Sequence, residues 1–150
     1  MSAMRSLLLA GVLFCACAPN DPFVGTYNVT VSGTETETAP QNTSRNIAGM
    51  GTVAVTQNKE RMGYLVTFGE NYLCKLLATQ SMSAPNELTI ADGQSCNISG
   101  FTGTTTSAKL SMDTATMTTA TLTVSYTFTY TLLFVNHAGT GTRTFTGPRL

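Results

Sequence analysis

The sequence predicts an all-β fold, an antiparallel up-and-down meander of about eight strands that forms a closed or nearly closed barrel. Threonine occupies 28 of the 150 positions, and this β-branched residue favours strands over helices. Apolar and polar residues alternate with a period of two in several segments, and none has the period of an amphipathic helix. A two-sheet β-sandwich is the alternative, because a meander of this size can also divide into two packed sheets.

The clearest alternation lies in the segment TLTVSYTFTYTL, from Thr121 to Leu132. Apolar and aromatic residues occupy one set of alternate positions and hydroxyl residues the other, which predicts one buried and one solvated face. FVGTYNVTVS, from Phe23, and RMGYLVTFG, from Arg61, alternate in the same way. Turn signals such as QNKE, SAPN, DG and NHAG separate the segments. The predicted strands are 22–32, 47–57, 61–69, 71–79, 86–91, 106–113, 118–135 and 139–147.

The first 16 residues have the layout of an export signal, with Arg5 followed by an apolar run from Leu7 to Phe14. This run is much shorter than the roughly 20 residues of a membrane-spanning helix. Residues 14–17 resemble the lipobox of bacterial lipoproteins, in which a cysteine after a small residue becomes the lipid-bearing N-terminus. The resemblance implies lipidation at Cys17. Cleavage without lipidation after Ala18 is the alternative, and it would place a proline first.

The lipobox assignment divides the chain into a signal peptide at 1–16, a lipidated N-terminus with a short tether at 17–21, and a single domain at 22–150. It implies that the protein is anchored by its lipid in a membrane of the bacterial cell envelope. The outer membrane is the expected location, with the domain facing the periplasm or the cell surface. The mature chain would carry seven basic and eight acidic side chains. That balance predicts no nucleic-acid partner.

Four cysteines are present in the sequence. With Cys15 removed and Cys17 lipidated, Cys74 and Cys96 remain as an even pair in an oxidising compartment. We expect them to form a disulfide that stabilises the domain by on the order of 3 kcal/mol. A two-thiolate metal site is the rival interpretation, but it lacks the nearby histidine or second cysteine pair that zinc needs. No metal or other cofactor is therefore predicted.

The start of the first strand, FVGTY, is similar to the G-x-W motif that opens lipocalins and other calycin barrels, with Tyr27 at the tryptophan position. The resemblance implies that this aromatic ring closes the base of the barrel and that an arginine of the final strand packs across it. Arg143, in the segment TRTFTG, is the candidate for that arginine. The alternative is an ordinary core tyrosine and a solvated arginine.

Two classes of function fit such a barrel, because eight strands give an interior that is either filled by side chains or holds one small ligand. The first, ranked slightly higher, is an interaction or structural module that meets an unknown protein partner through its loops. The second is a lipocalin-like binder of a small apolar ligand or lipid. The side chains predicted to line such a ligand site are those of Tyr27, Val29, Val55, Tyr64, Leu76, Ile90, Met112, Tyr126 and Phe128.

The sequence predicts no catalytic residue, so the protein is not expected to be an enzyme. Glu35 and Glu37 lie in the segment GTETETAPQN and are interpreted as solvated charges of a loop. His137, the only histidine, lies beside Asn136 and near Gly139 in a predicted turn, where a solvated loop residue is expected. Serine and cysteine nucleophiles lack a nearby base.

Overall fold

A computed structural model describes residues 21–69, 74–98 and 101–150 of the chain. These residues form nine β-strands and no helix, so within them no helix is long and apolar enough to cross a membrane. The strands are β1 Gly25–Ala39, β2 Thr43–Asn58, β3 Gly63–Phe68, β4 Cys74–Gln80, β5 Glu87–Ile90, β6 Ser95–Ile98, β7 Phe101–Met112, β8 Thr119–Leu132 and β9 Val135–Pro148.

All nine strands belong to one antiparallel sheet with the neighbour order β5-β4-β3-β2-β1-β9-β8-β7-β6. Because β5 also pairs with β7, the backbone hydrogen bonds run around a ring. β5 and β6 follow one another along the same edge of β7, so the ring has eight strand positions and two short strands share one of them. The predicted all-β meander is confirmed, and its strands form one nearly barrel-like sheet instead of the two sheets of a sandwich.

The side chains that face the interior of the ring form its core. In β8, Leu122, Val124 and Tyr126 are no more than 1% exposed, whereas Thr127 and Thr129 on the opposite face are exposed. The period-two alternation therefore separates a buried face from an exposed face, as predicted. Burial of each large apolar side chain contributes about 1.5–3 kcal/mol relative to exposure, which explains why the register is the one that turns the apolar positions inward.

The first hairpin is longer than the sequence predicted. β1 continues to Ala39 and β2 begins at Thr43, so most of the segment between 33 and 46 is paired strand and not loop. Thr34, Thr36 and Thr38 continue the alternation on the outer face of β1. The prediction failed because the residues that alternate with these threonines are glutamates, which the apolar pattern does not identify as inward-facing.

The turn between β8 and β9 also differs from the prediction. β8 ends at Leu132 and β9 begins at Val135, so the predicted NHAG turn is wrong and the predicted strand 118–135 runs past the actual turn. The two turn residues, Leu133 and Phe134, have φ values of 49° and 66°. A two-residue type I′ turn requires positive φ at both positions. Residues other than glycine adopt this region at a cost of about 1–2 kcal/mol each.

The strand position shared by β5 and β6 is interrupted by the predicted DG turn, where Gly93 has a φ of 78°. Next to this turn, the side chain of Gln94 continues the hydrogen bonding toward β4. The backbone N–H of Leu77 donates to Oε1 of Gln94 at 2.7 Å, and Nε2 of Gln94 donates to the carbonyl oxygen of Leu77 at 2.9 Å. β6 was not predicted, because its four residues are too few to display a period.

Candidate functional site

A carboxylate is buried inside the ring at Glu35, an inward-facing position of β1. Its side chain is 2% exposed. Oε1 accepts hydrogen bonds from the hydroxyl of Tyr126 and, at 2.6 Å, from Nη2 of Arg143. Oε2 accepts hydrogen bonds from Nε of Arg45, at 2.8 Å, and from Nη2 of the same residue. Both carboxylate oxygens are therefore satisfied by charged or hydroxyl donors.

The strand register explains how these groups meet. Glu35 lies opposite Arg45 in β2 and opposite Gly141 in β9, and Gly141 in turn lies opposite Tyr126 in β8. A Cβ atom on Gly141 would be 2.5 Å from the Tyr126 ring. Because Gly141 has no side chain, the Tyr126 phenol crosses its position and reaches Glu35 two strands away.

The electrostatics of this cluster keep Glu35 ionised at neutral pH. Burial alone would raise the pKa of Glu35, but hydrogen bonds from Tyr126, Arg143 and Arg45 outweigh it and the pKa lies below its usual value. Burial and the hydrogen bond to Glu35 raise the pKa of Tyr126, so the phenol stays protonated. A lowered pKa makes Glu35 a weak base. The cluster is therefore better suited to holding strands together than to proton transfer.

A second polar group lies one step further along the same strands. Nδ1 of His137 is 2.6 Å from Oε1 of Glu37, and the Tyr130 hydroxyl donates to Oε2 of Glu37 at 3.3 Å. The rings of Tyr130 and His137 stack with centroids 4.5 Å apart. The interpretation of Glu35, Glu37 and His137 as solvated loop residues is therefore wrong, because the lengthened hairpins place all three in strands with polar partners.

The base of the ring contains a tyrosine and an arginine, but the arginine is not the predicted one. The guanidinium carbon of Arg149 lies 5.6 Å from the centroid of the Tyr27 ring, and its Nη2 donates to the Tyr27 hydroxyl at 3.1 Å. Arg143 lies opposite Gly33 and its guanidinium lies over Tyr126. Gly33 is six residues from Tyr27 along β1, or about 20 Å. The predicted pairing of Tyr27 with Arg143 is therefore wrong.

The residues predicted to line a ligand site all contribute to one packed core. Tyr64 is partly buried and packs against this core, and its hydroxyl donates to Oδ2 of Asp21 at 2.8 Å. Burial and this hydrogen bond raise the pKa of Tyr64 to about 12. The other eight are no more than 5% exposed: Tyr27, Val29, Val55, Leu76, Ile90, Met112, Tyr126 and Phe128.

The predicted disulfide is present in the structure. Cys74 of β4 is bonded to Cys96 of β6, with their Cα atoms 4.7 Å apart. Both residues are buried. The bond therefore links β4 to β6. β4 pairs with β5 near its other end, at Ala78 to Gln80. The predicted lipidation site, Cys17, lies outside the described residues, as does the predicted signal peptide.

Sequence reasoning missed two arginines that complete these contacts. Arg45 was not assigned a role, although a hairpin turning at residues 40–42 pairs it with Glu35. The alternating threonines of TETET before APQN indicated that β1 continues, but the segment after APQN has no such alternation. Arg149 lies two residues beyond the last predicted strand, and only the antiparallel bridge between Arg149 and Tyr27 reveals the contact.

The cluster around Glu35 contains no recognisable metal site. In the part of the chain that the structure describes, no three histidine, cysteine, aspartate or glutamate side chains are grouped as metal ligands. The sequence matches no protein-family model, and no curated protein or solved structure shows significant similarity to it.

Proposed function

We propose that the chain is a bacterial cell-envelope lipoprotein, anchored in a membrane by a lipid on Cys17, whose β-domain is an interaction or structural module without catalytic activity. The small residue before Cys17 and the apolar run that precedes it support the anchoring. The tether from Ala18 to Asp21 spans at most about 14 Å. The domain would therefore lie close to the bilayer that holds the lipid.

The fixed position of Asp21 supports a short anchor. Its carboxylate accepts hydrogen bonds from Tyr64, at 2.8 Å, and from Nε2 of Gln57, at 3.0 Å. The next residue, Pro22, accepts a hydrogen bond from Arg149 through its carbonyl oxygen. The chain therefore enters the domain at a point tied to β2, β3 and the C-terminal end of β9.

The observation that carries the module assignment is the occupation of the interior by the protein's own side chains. The apolar residues expected to face a ligand pack against each other. Beyond them the interior contains the ionised Glu35 with Arg143. An apolar ligand could occupy this space only by displacing the two side chains, which would break hydrogen bonds that the ligand cannot replace, and this is unfavourable. Contacts through the outer surface and loops fit this arrangement better.

The anchoring is tested by comparing Cys17→Ser with Cys15→Ser. We expect Cys17→Ser to lose incorporation of a labelled fatty acid and to appear in the soluble fraction or as uncleaved precursor. Cys15→Ser is the matched control, because it changes a cysteine two residues away and should leave lipidation and membrane retention unchanged. Label incorporation and membrane retention in Cys17→Ser equal to those of the parent would show that the lipoprotein proposal is wrong.

The second candidate is a lipocalin-like binder of a small apolar ligand. The stacking of Arg149 on Tyr27 favours it, because the calycin resemblance implies an arginine at this place. Titration of the protein with fluorescent apolar probes separates the two candidates. Saturable binding in the micromolar range would favour the binder, whereas weak binding without saturation would favour the module.

A further inference from the structure

We propose that the end of the β8–β9 hairpin inserts into the surface of a lipid bilayer. Four consecutive apolar residues, Leu132 to Val135, form this end and are here named the apolar tip. Leu133 and Phe134 are 84% and 102% exposed, and the flanking Leu132 and Val135 are 54% and 43% exposed. The apolar tip lies at the end of the ring opposite Asp21, so the bilayer that it enters is a different one from that to which a short tether would hold the base. The proposal goes beyond the function proposed above and does not depend on a lipid at Cys17.

The backbone of the apolar tip gives no local reason for its large apolar side chains. Leu133 and Phe134 both have positive φ, and Asn-Gly is the pair that type I′ turns favour because it tolerates this conformation. Neither side chain is among the residues that pack against the core. Large apolar residues in a conformation that disfavours them, and without a folding contact, are typical of a binding surface.

The apolar tip extends beyond its neighbours in the sheet. Among the described strands, pairing of β9 with β1 ends at Ala138 and pairing of β8 with β7 ends at Thr129. β8 and β9 continue to pair with each other as far as Leu132 and Val135. Three further residues in a strand extend about 10 Å. That length matches the roughly 5–10 Å to which apolar groups enter the boundary between headgroups and acyl chains.

The polarity of the hairpin changes along its length as a bilayer surface requires. The segment TLLFVN, residues 131–136, has no ionisable side chain. Just behind the apolar tip, the hydroxyl of Thr131 donates to Oδ1 of Asn136 at 2.8 Å, and the next pair is the stacked Tyr130 and His137. Aromatic side chains with a polar end are enriched at the headgroup level of membranes. The hairpin thus has apolar, polar and aromatic levels in that order.

A bilayer fits the apolar tip better than a protein partner does. Stable protein interfaces use roughly 20–30 residues on each side, whereas the apolar tip has four and is flanked by Thr131 and Asn136. It is also convex, so a protein would need a deep pocket to cover it. Hydrocarbon requires no complementary shape. A small, uncharged, protruding apolar group is therefore matched to lipid.

The absence of tryptophan from the sequence allows a direct test with a single reporter. Phe134→Trp places the reporter in the apolar tip, and Met82→Trp places one at a fully exposed methionine in the β4–β5 connection, at the other end of the ring. Both are made in the chain carrying Cys17→Ser, and the soluble form without the signal peptide is used, so that neither an N-terminal lipid nor the apolar segment of residues 7–14 holds the protein on vesicles. The vesicles contain phosphatidylethanolamine with phosphatidylglycerol as the minor component.

We expect vesicles to shift the emission of Phe134→Trp to shorter wavelength and to protect it from a water-soluble quencher. Emission of Met82→Trp should not change. A Phe134→Trp reporter that stays exposed to water at saturating lipid would overturn the proposal. So would a shift that occurs without vesicles and grows with protein concentration, because the apolar tip would then contact a second copy of the chain.

A second variant separates binding from folding. Leu133→Asn combined with Phe134→Gly supplies the residues that this turn favours, so the melting temperature should not fall. Vesicle partitioning should decrease at least about 100-fold, since each buried Leu or Phe contributes about tenfold or more. Met82→Asn is the exposed control and should partition as the parent does. Unchanged partitioning of the double variant in a folded state would refute insertion of the apolar tip.

Discussion

Glu35 and Arg143 are separated by 108 residues in the sequence, yet Nη2 of Arg143 lies 2.6 Å from Oε1 of Glu35 inside the ring. The contact joins β1 to β9, the first and last of the nine described strands. The Arg143 side chain is 12% exposed and that of Glu35 is 2% exposed. Removal of Arg143 would leave the buried carboxylate of Glu35 with the exposed Arg45 as its remaining cation, and removal of one partner from a buried ion pair is strongly destabilising.

The two arginines that contact Glu35 should differ in their effect on stability. We expect Arg143→Met to lower the free energy of unfolding by about 3 kcal/mol or more, because it leaves the buried Glu35 with one cation. Arg45 is 68% exposed, so Arg45→Met should cost about 1 kcal/mol or less. Urea unfolding of the two variants measures the difference. Equal losses would contradict the buried position of the Arg143 contact.

The lowered pKa of Glu35 predicts a loss of stability in acid. A carboxyl whose pKa is lower in the folded state contributes its full stabilisation above the unfolded value, about 4.3, and loses it as the pH falls through the folded value. The difference in unfolding free energy between the parent and Glu35→Gln should therefore shrink from about pH 7 to about pH 3. Asp21 and Asp113 also have lowered pKa values, but they are present in both proteins and cancel. A difference independent of pH would contradict the prediction.

Double-mutant cycles test the arginine at the base of the ring. Tyr27→Leu and Arg149→Met should show a coupling of about 0.5–2 kcal/mol, because a cation-π contact is removed. Tyr27→Leu and Arg143→Met form the control cycle, and their coupling should lie within about 0.5 kcal/mol of zero, as expected for distant residues. The opposite order of the two couplings, measured by urea unfolding, would contradict the observed register of β9.

Two glycines in paired strands, one buried and one exposed, should respond differently to a methyl group. A Cβ atom on Gly141 would be 2.5 Å from the Tyr126 ring, whereas one on Gly49 would have no atom within 4 Å. We expect Gly141→Ala to destabilise the protein by about 1–3 kcal/mol, because the ring must move away from Glu35. Gly49→Ala should be neutral or stabilise it by up to about 1 kcal/mol through the unfolded state. Thermal unfolding of both variants checks this, and a neutral Gly141→Ala would refute the crossing of the phenol.

The disulfide should contribute measurably to stability. Replacement of both Cys74 and Cys96 by serine should lower the free energy of unfolding by about 2–5 kcal/mol. In the unreduced parent, neither thiol should react with an alkylating reagent in denaturant. Alkylation of both under those conditions would show that the bond does not form in the protein.

Much of the fold could be predicted because most inward positions are apolar. The segment from Leu122 to Phe128 shows its buried face directly in the sequence, and the disulfide followed from cysteine counting. The position of Glu35 could not be predicted in this way. Its inward orientation depends on Arg45 and Arg143, which are brought to it by strand pairing, and no local pattern encodes that pairing.

The β8–β9 turn is a second feature that local sequence patterns did not predict. Turn prediction relies on residues that adopt positive φ easily, and Asn136 with Gly139 satisfied that rule. The actual turn residues, Leu133 and Phe134, have positive φ although neither is of a type that adopts this conformation easily. The pairing of β8 with β9 through fourteen residue pairs determines where the chain reverses, so long-range register overrides the local preference.

The side-chain amide of Gln94 takes the place of a backbone peptide group in the sheet. Its amide supplies one acceptor and one donor to Leu77, as the backbone of an uninterrupted strand would. Without it, the turn at Gly93 would leave a backbone N–H and C=O of β4 unpaired. Unpaired strand edges recruit strands from other molecules and begin aggregation. Gln94 therefore protects the molecule against the intermolecular pairing that a break in its own sheet would otherwise invite.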